Sequence, residues 1–358
     1  MIVCQAFNLD FSACGSENPI RGARIKEFDK FIQSDIANIS MKEGSSTWLH
    51  EAVELGYEQV NKIIKRIVED LKKGIKYAEG FPNSTDANGW TALGLAIKKG
   101  DIEILKLLCG ESLKTKSRKK EPIIDINKAF INKEGQEITS LLVALLEDKQ
   151  DIANYLLSLH QIDTTTKHPD TGETPLHVIS RGVFSTSKPS ERLPIETLLA
   201  NLTKKGKNIL LEQLLAENKE KRTPLALAAA YNNVHDLRVL FDKIKQVVPD
   251  KDQLREILFK RDSEDHDIFK LSYLRVPGFM RALTSDDDKD FIFKDVLENA
   301  KDYLHKDDWK KILGEIIKET QEIKIGQPSR DELIKKYREV NPDLNESKKS
   351  KPQKRKKH

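Results

Sequence analysis

Asp86-Ala-Asn-Gly-Trp-Thr-Ala-Leu-Gly-Leu-Ala-Ile-Lys-Lys-Gly100 runs directly into Asp101-Ile-Glu-Ile-Leu-Lys-Leu-Leu108, and the reading of this stretch decides the fold. Thr91 is a good helix N-cap, since its hydroxyl can accept a hydrogen bond from an N–H of the first turn. Leu93, Leu95 and Ala96 are then expected on a buried face, with the small alanine letting a neighbouring element approach. Gly100 stands where the helix ends, and there a positive φ is cheap for glycine. Ile102, Leu105 and Leu108, joined by Ile104 and Leu107, give a second helix an apolar stripe at 3–4-residue spacing. The unit is a turn, a short helix, a second turn and a second helix.

The same pattern recurs along the chain, and repeats of this kind must be found before any other reading. It returns as Thr174-Pro-Leu-His177 after Thr171-Gly-Glu173, and as Thr223-Pro-Leu-Ala-Leu-Ala-Ala-Ala230 before Asn232-Asn233. Proline suits the first helical position, where its missing N–H costs nothing. Looser copies are Thr47-Trp-Leu-His-Glu-Ala-Val53, followed by Gly56, and Thr139 to Leu157, which ends Asp151-Ile-Ala-Asn-Tyr-Leu-Leu157.

These segments resemble the ankyrin repeat, whose mark is Thr-Pro-Leu-His, an alanine-rich helix, a glycine turn and a second helix. The resemblance implies an all-α ankyrin-repeat solenoid with elongated, irregular repeats and a helical C-terminal extension. The family period is about 33 residues. Here the threonines lie 44, 48, 35 and 49 residues apart, so three of the four intervals are expanded. Longer second helices or loops would account for this. Glu111 to Ile124 is lysine-rich and reads as one loop, and Ser180 to Ser190 reads as another. The Thr139 copy aligns only with about two extra residues.

Four regions are expected: a capping segment over 1–40, an array of about five repeats over 41–245, a degenerate repeat and helical region over 246–340, and a disordered basic tail over 341–358. The first holds a helix from Ile25 to Ile36. The third opens with a degenerate repeat from Asp262 to Leu283, since terminal repeats are commonly atypical. It continues with an amphipathic helical stretch from Asp290 to Ile323 that includes Val296, Leu304, Trp309 and Leu313. Ser329-Arg-Asp-Glu332 has the capping-box form and opens a short helix reaching Val340.

Charge narrows the function. The net charge is +4, yet residues 348–357 carry seven lysines and arginines and no acid, which leaves the remainder mildly acidic. Basicity is a property of the tail, not of a nucleic-acid-binding body. The tail resembles a nuclear-import signal. The cysteines Cys4, Cys14 and Cys109 form no disulfide framework, so a reducing, cytoplasmic setting is expected. The N-terminus lacks a secretory signal, and no apolar run approaches the ~20 residues that span a membrane.

No phosphate loop, nucleophile elbow or kinase signature is present. No metal ligand set or cofactor is expected: His160, His168 and His177 are spaced unlike helical metal ligands. His50 and His177 sit inside the repeat motif, where the family uses histidine structurally. Leu193-Pro-Ile-Glu-Thr-Leu-Leu199 resembles the opening of an F-box, but the apolar pattern that follows does not continue it, and the favoured reading is the second helix of the Thr174 repeat, with Pro194 in its first turn. No enzymatic activity is expected. An enzyme would need its site in residues 1–40 or 246–325.

What remains is protein recognition. The ankyrin resemblance implies partners held by the turn tips and the exposed side of the first helices. Carried onto this sequence, those positions are Asn88, Trp90, Lys98 and Lys99, then Glu173 and Arg181, then Arg222 and Tyr231, and Glu54. Trp90 leads, because tryptophan, tyrosine and arginine most often carry interface energy. Irregular, lysine-rich repeats with a charged C-terminus are similar to the ankyrin-repeat effectors of intracellular bacteria such as Legionella or Coxiella. Those pass through a type IV secretion system, and the resemblance implies a monomeric protein with a host protein as partner. Nucleic acid would be touched only through the tail.

Overall fold

The computed structural model describes residues 19–33, 42–43, 46–75, 77, 80–109, 124–159, 161–182, 195–274, 296, 299–305, 307–312 and 314–315. The chain divides into two compact units, residues 1–169 and 170–358, a division that falls inside the stretch expected to be one array.

The first unit opens with α1 (Pro19–Gln33) and a short antiparallel hairpin, β1 (Lys42–Glu43) with β2 (Ser46–Thr47). Then come α2 (Trp48–Leu55), α3 (Tyr57–Lys72), α4 (Ala92–Lys99) and α5 (Ile102–Cys109). A second antiparallel hairpin, β3 (Lys128–Ile131) with β4 (Glu137–Thr139), leads into α6 (Ser140–Leu146) and α7 (Gln150–Ser158). Helices pair as α2–α3, α4–α5 and α6–α7. The first members stack as α2–α4–α6 and the second as α3–α5–α7. Each pair has one apolar side, and stacking buries it: Leu49, Val53, Leu93, Ile97, Leu141 and Leu145 are all within 1% of full burial. Such repeats are stable only in company, since none can cover its apolar face alone.

α1 closes the first end of this stack. It begins at Pro19, earlier than the Ile25 start expected, and packs on α2 and α3. Phe31 stacks on Trp48 at 4.0 Å, while Arg21 donates to the carbonyl of Leu55 and Arg66 to that of Ile32. These bonds satisfy carbonyls at the ends of α2 and α1 that have no partner within their own helices.

The second unit contains α8 (Pro175–Ser180), α9 (Ile195–Lys205), α10 (Lys207–Leu215), α11 (Pro224–Ala230), α12 (Val234–Val247), α13 (Lys251–Leu258) and α14 (Ile268–Leu274). First helices again stack, α8 on α11 and α11 on α14. α14 lies within Asp262–Leu283, the stretch expected to hold a degenerate repeat. Asp267 replaces the threonine, and its carboxylate accepts the Lys270 N–H at 3.0 Å. Beyond it, Val296, Ala300, Trp309 and Ile312 are buried, and Asp308 pairs with Arg255 of α13. The described part of the amphipathic stretch therefore packs as a cap.

The expanded spacings have separate causes. α3 is 16 residues long against 8 for α5. α10 is a whole extra helix between α9 and the next turn, and α13 is another between α12 and α14. The loops expected at 111–123 and 183–190 lie outside the described residues, as do the Ser329 capping box and the basic tail.

One turn recurs with fixed chemistry. Asp86 Oδ1 accepts the N–H groups of Asn88 and Trp90, and the Asp86 N–H donates to the Trp90 carbonyl. Asn132, Asn218 and Asp262 do the same for the residues two and four positions on. The fourth residue of each turn has positive φ: Gly89 (86°), Gly135 (77°), Lys221 (58°) and Asp265 (63°). The helix cap follows five residues after Asp86, Asn218 and Asp262, but seven after Asn132. The two extra residues of the Thr139 copy are thereby located in β4.

Gly94 lies inside α4 where most repeats carry a side chain. A Cβ there would sit 2.1 Å from the Ala129 carbonyl oxygen, a contact that backbone cannot yield cheaply. Glycine-to-alanine exchange in a helix ordinarily stabilises by up to about 1 kcal/mol. Gly22 of α1 has open space around it and should follow that rule. Gly94→Ala should instead destabilise by about 2 kcal/mol or more. Urea unfolding of the two variants checks the difference in sign. Equal behaviour would mean that the hairpin does not approach α4 this closely.

Candidate functional site

The first helices begin with a clasp that reaches into the following repeat. His50 Nδ1 lies 2.7 Å from the Thr47 hydroxyl, and His50 Nε2 lies 2.9 Å from the Trp90 carbonyl oxygen. His177 repeats this with Thr174 at 2.8 Å and the Arg222 carbonyl at 3.1 Å. Both rings are buried. Buried imidazoles with both nitrogens bonded are structural, as the repeat motif implied.

The His50 clasp positions one wall of an open groove in the first unit. The groove has a volume of about 420 Å³ and is lined by Asp86, Asn88 and Trp90 of the turn, Leu95 and Lys98 of α4, and Glu51 and Glu54 of α2. Leu95, expected on the buried face, is only half-buried and forms part of the floor. The Trp90 ring is held from behind by Phe130, with centroids 4.5 Å apart, and Lys98 Nζ lies 4.8 Å over its face. An ammonium over an indole is attracted by the ring quadrupole.

Five of the residues singled out from sequence meet around this groove: Asn88, Trp90, Lys98, Lys99 and Glu54. Lys99 is not free. It donates to the carbonyls of Val53 and Glu54 and pairs with the Glu54 carboxylate at 3.0 Å. It holds the C-terminus of α2, where a cation is favoured by the helix dipole.

The four positions from the second unit differ. Tyr231 is exposed at the end of α11, and Arg181 is half-buried at the end of α8. Glu173 and Arg222 are corrections, because both are buried, at 4% and 3% exposure. Glu173 is paired with Arg181 at 3.3 Å. Arg222 reaches inward to Asp262 at 2.8 Å, with Glu220 at 2.7 Å and Glu264 at 3.1 Å, and so ties the Thr223 turn to the next one. An arginine at a turn tip reads as surface; its partners lie some 40 residues on, where the sequence pattern had faded.

Asp262, Glu264 and His266 bring three potential metal-ligand atoms within 4.8 Å of one another, a cluster the sequence reading missed. The Arg222 guanidinium already holds both carboxylates, and its fixed charge opposes a cation there. The cluster is better read as an ion-pair network.

Cys109 is half-buried, and desolvation pushes its thiol pKa up to about 12, well above the range of an activated thiolate. Cys4, Cys14 and His160 lie outside the described residues. Of the F-box-like segment, Ile195, Leu198 and Leu199 are buried in α9, and residues 193–194 lie outside the described residues. No helix among the described residues is long and apolar enough to cross a membrane.

Residues 49–168 match the family model of ankyrin repeats in three copies. Over these residues the chain carries ankyrin repeats. Ankyrin repeats are a protein–protein interaction module. No curated protein matches the chain. Three solved structures are similar. One is from the complex of a predatory endopeptidase of Bdellovibrio bacteriovorus with its immunity protein, at 20% identity over 71% of this chain and 98% of that one, TM-score 0.43. The second is the ankyrin-repeat domain of Bcl-3, a member of the IkappaB family, at 16% identity over 75% and 100%, TM-score 0.42. The third is the human ASB11 ankyrin-repeat domain, at 14% identity over 79% and 98%, TM-score 0.44.

The Arg222 network of this ankyrin chain should be visible in acid. Burial opposes the Asp262 carboxylate, but the His266 N–H, the Arg222 guanidinium and the Glu264 N–H together outweigh it and hold its pKa below the ordinary 3.8. A carboxyl with a lowered folded value contributes its stability above the unfolded value and loses it as pH falls through the folded one. Asp262→Asn keeps the turn, as Asn218 shows, but removes Arg222's buried partner. It should cost about 2–3 kcal/mol at neutral pH. That deficit should shrink as pH falls below the ordinary carboxylate value and be lost below the lowered folded one, where the native side chain is protonated too. Urea titration of both proteins at neutral and acid pH checks this; a deficit independent of pH would deny Asp262 its ionic role.

Proposed function

We propose that this ankyrin-repeat chain is a protein-binding scaffold without catalytic activity, and that the groove of the first unit is its contact face. The supporting observation is Trp90, a half-buried tryptophan backed by Phe130, whose carbonyl is fixed by His50. A rigid aromatic at the edge of a groove offers large contact area at small ordering cost. Asn88, Lys98, Glu54 and Lys99 surround it. In the second unit, Tyr231 and Arg181 are the positions retained as contacts. His50, His177 and the Arg222 network are engaged in the architecture, which supports the non-catalytic reading.

The finer reading is of an effector delivered into a host cell, acting in cytosol or nucleus on a host protein. It is supported by the irregular lysine-rich repeats and by the basic residues 348–357. A reporter fusion lacking residues 341–358 tests delivery: unchanged entry into host cells would remove this support.

Trp90→Ala should weaken partner binding by about 30-fold or more, the effect of losing an interface anchor. Trp90→Phe keeps the packing on Phe130 and separates folding from recognition. Tyr231→Ala serves as the parallel test in the second unit. Affinity capture from host-cell lysate with wild type and variants gives the readout. Equal recovery of every partner by correctly folded Trp90→Ala protein would abolish the proposed face.

A further inference from the structure

We propose that the groove of the first unit takes an acidic segment of its partner, with a carboxylate seated between Lys98, the Trp90 indole N–H and Asn88. This deepens the reading of the groove as the contact face and rests on it. The argument is an account of which polar groups in the groove are already satisfied.

The groove's own carboxylates are engaged. Both oxygens of Glu51 accept from the Arg24 guanidinium, at 2.8 and 2.7 Å. Glu54 pairs with Lys99 at 3.0 Å. Asp86 Oδ1 accepts two backbone N–H groups of its own turn, at 2.8 and 2.9 Å. The donors are a different matter. Among the described residues no carboxylate lies within ion-pair distance of Lys98, whose ammonium rests over the Trp90 ring at 4.8 Å. Neither the Trp90 indole N–H nor the Asn88 side-chain amide finds an acceptor among the described residues. The wall of the groove therefore presents one cation without an ion-pair partner, Lys98, and two uncommitted donors beside an apolar floor of Trp90 and Leu95, while the Asp86 carboxylate is held by N–H groups of its own turn and by no cation among the described residues.

Three kinds of partner meet this surface differently. An apolar segment would desolvate Lys98 without replacing its water, which is costly for a charge. A basic segment would meet Lys98 head on, and would find Glu51 and Glu54 already paired with Arg24 and Lys99, leaving it only Asp86, whose Oδ1 is committed to its own turn. A carboxylate compensates the ammonium and can accept from the indole, and hydrogen bonds of this charge-assisted kind are the strong ones. Because the ring already holds the ammonium, little ordering is needed on binding. The fitting ligand is an extended peptide with aspartate or glutamate next to an apolar side chain.

The test is selection of random linear peptides displayed against the full chain, counter-selected on Trp90→Ala. Enriched peptides should carry an aspartate or glutamate beside a leucine or aromatic residue. Synthetic peptides, read by fluorescence anisotropy, should bind about tenfold more weakly when that acid becomes its amide. Lys98→Glu, a change at an exposed site, should abolish acidic-peptide binding and shift selection to lysine- or arginine-bearing peptides. Peptides sensitive to Trp90→Ala but free of acid enrichment, or indifferent to Lys98→Glu, would overturn the acidic ligand and leave the groove standing. Selection of no peptide sensitive to Trp90→Ala would overturn both.

Discussion

Everything in each unit depends on how the start of one inner helix is tied to the turn of the repeat that follows. A backbone carbonyl buried between repeats must find a donor, and an unpaired one would cost as much as several apolar contacts bring. At two junctions a histidine supplies the donor, from His50 to Trp90 and from His177 to Arg222. At a third the solution is inverted. Gly94 replaces the histidine, the following hairpin moves in, and Thr91 donates directly to the carbonyls of Lys128 and Ala129. One requirement has two answers, and the choice of residue three positions into the helix decides which.

The clasp also separates what can vary from what cannot. Among the described residues the extra length of this chain falls chiefly on α3, α10 and α13, all outside the stacked first helices. An added helix there brings its own apolar stripe and needs only to cover the second helices. Growth between the turn and the first helix is more constrained, since it displaces the carbonyl that the clasp must reach. The single such insertion, two residues before Thr139, is absorbed by extending a strand in a hairpin whose register shifts between Lys128 and Phe130. Extended backbone takes up residues without changing direction.

This explains which parts of the fold were legible in the sequence. Local signals were: threonine caps, the alanine-rich first helices and the apolar stripes follow from nearest-neighbour chemistry, and the structure, Leu95 apart, places them as read. Junction chemistry was not. Arg222 and Glu173 look like surface charges from their own neighbourhood, and only the packing of a later turn shows that they are buried. A signal did exist for Arg222, since Asp262 to Asp267 repeats the turn spacing of Asn218 to Thr223, but it is carried by one side-chain type at a fixed offset. Leu95 failed for a related reason. An apolar residue on a first helix reads as core, while Leu95 is only half-buried and lines the groove.

The groove residues therefore have two obligations, and these bear on recognition. Trp90 gives its carbonyl to His50, packs its ring on Phe130 and still lines the groove, half-buried. Were its backbone free, a partner would have to order the turn, and each immobilised side chain costs about 0.5–1.5 kcal/mol. The turn is already fixed by four hydrogen bonds: Asp86 Oδ1 to two N–H groups, the Asp86 N–H to Trp90, and the Gly89 N–H to Asp86. The bonds that hold the fold together thus place the contact residues before any partner arrives. It follows that side chains at the groove can change without loss of the scaffold, provided that the carbonyl at position 90 stays where His50 reaches it.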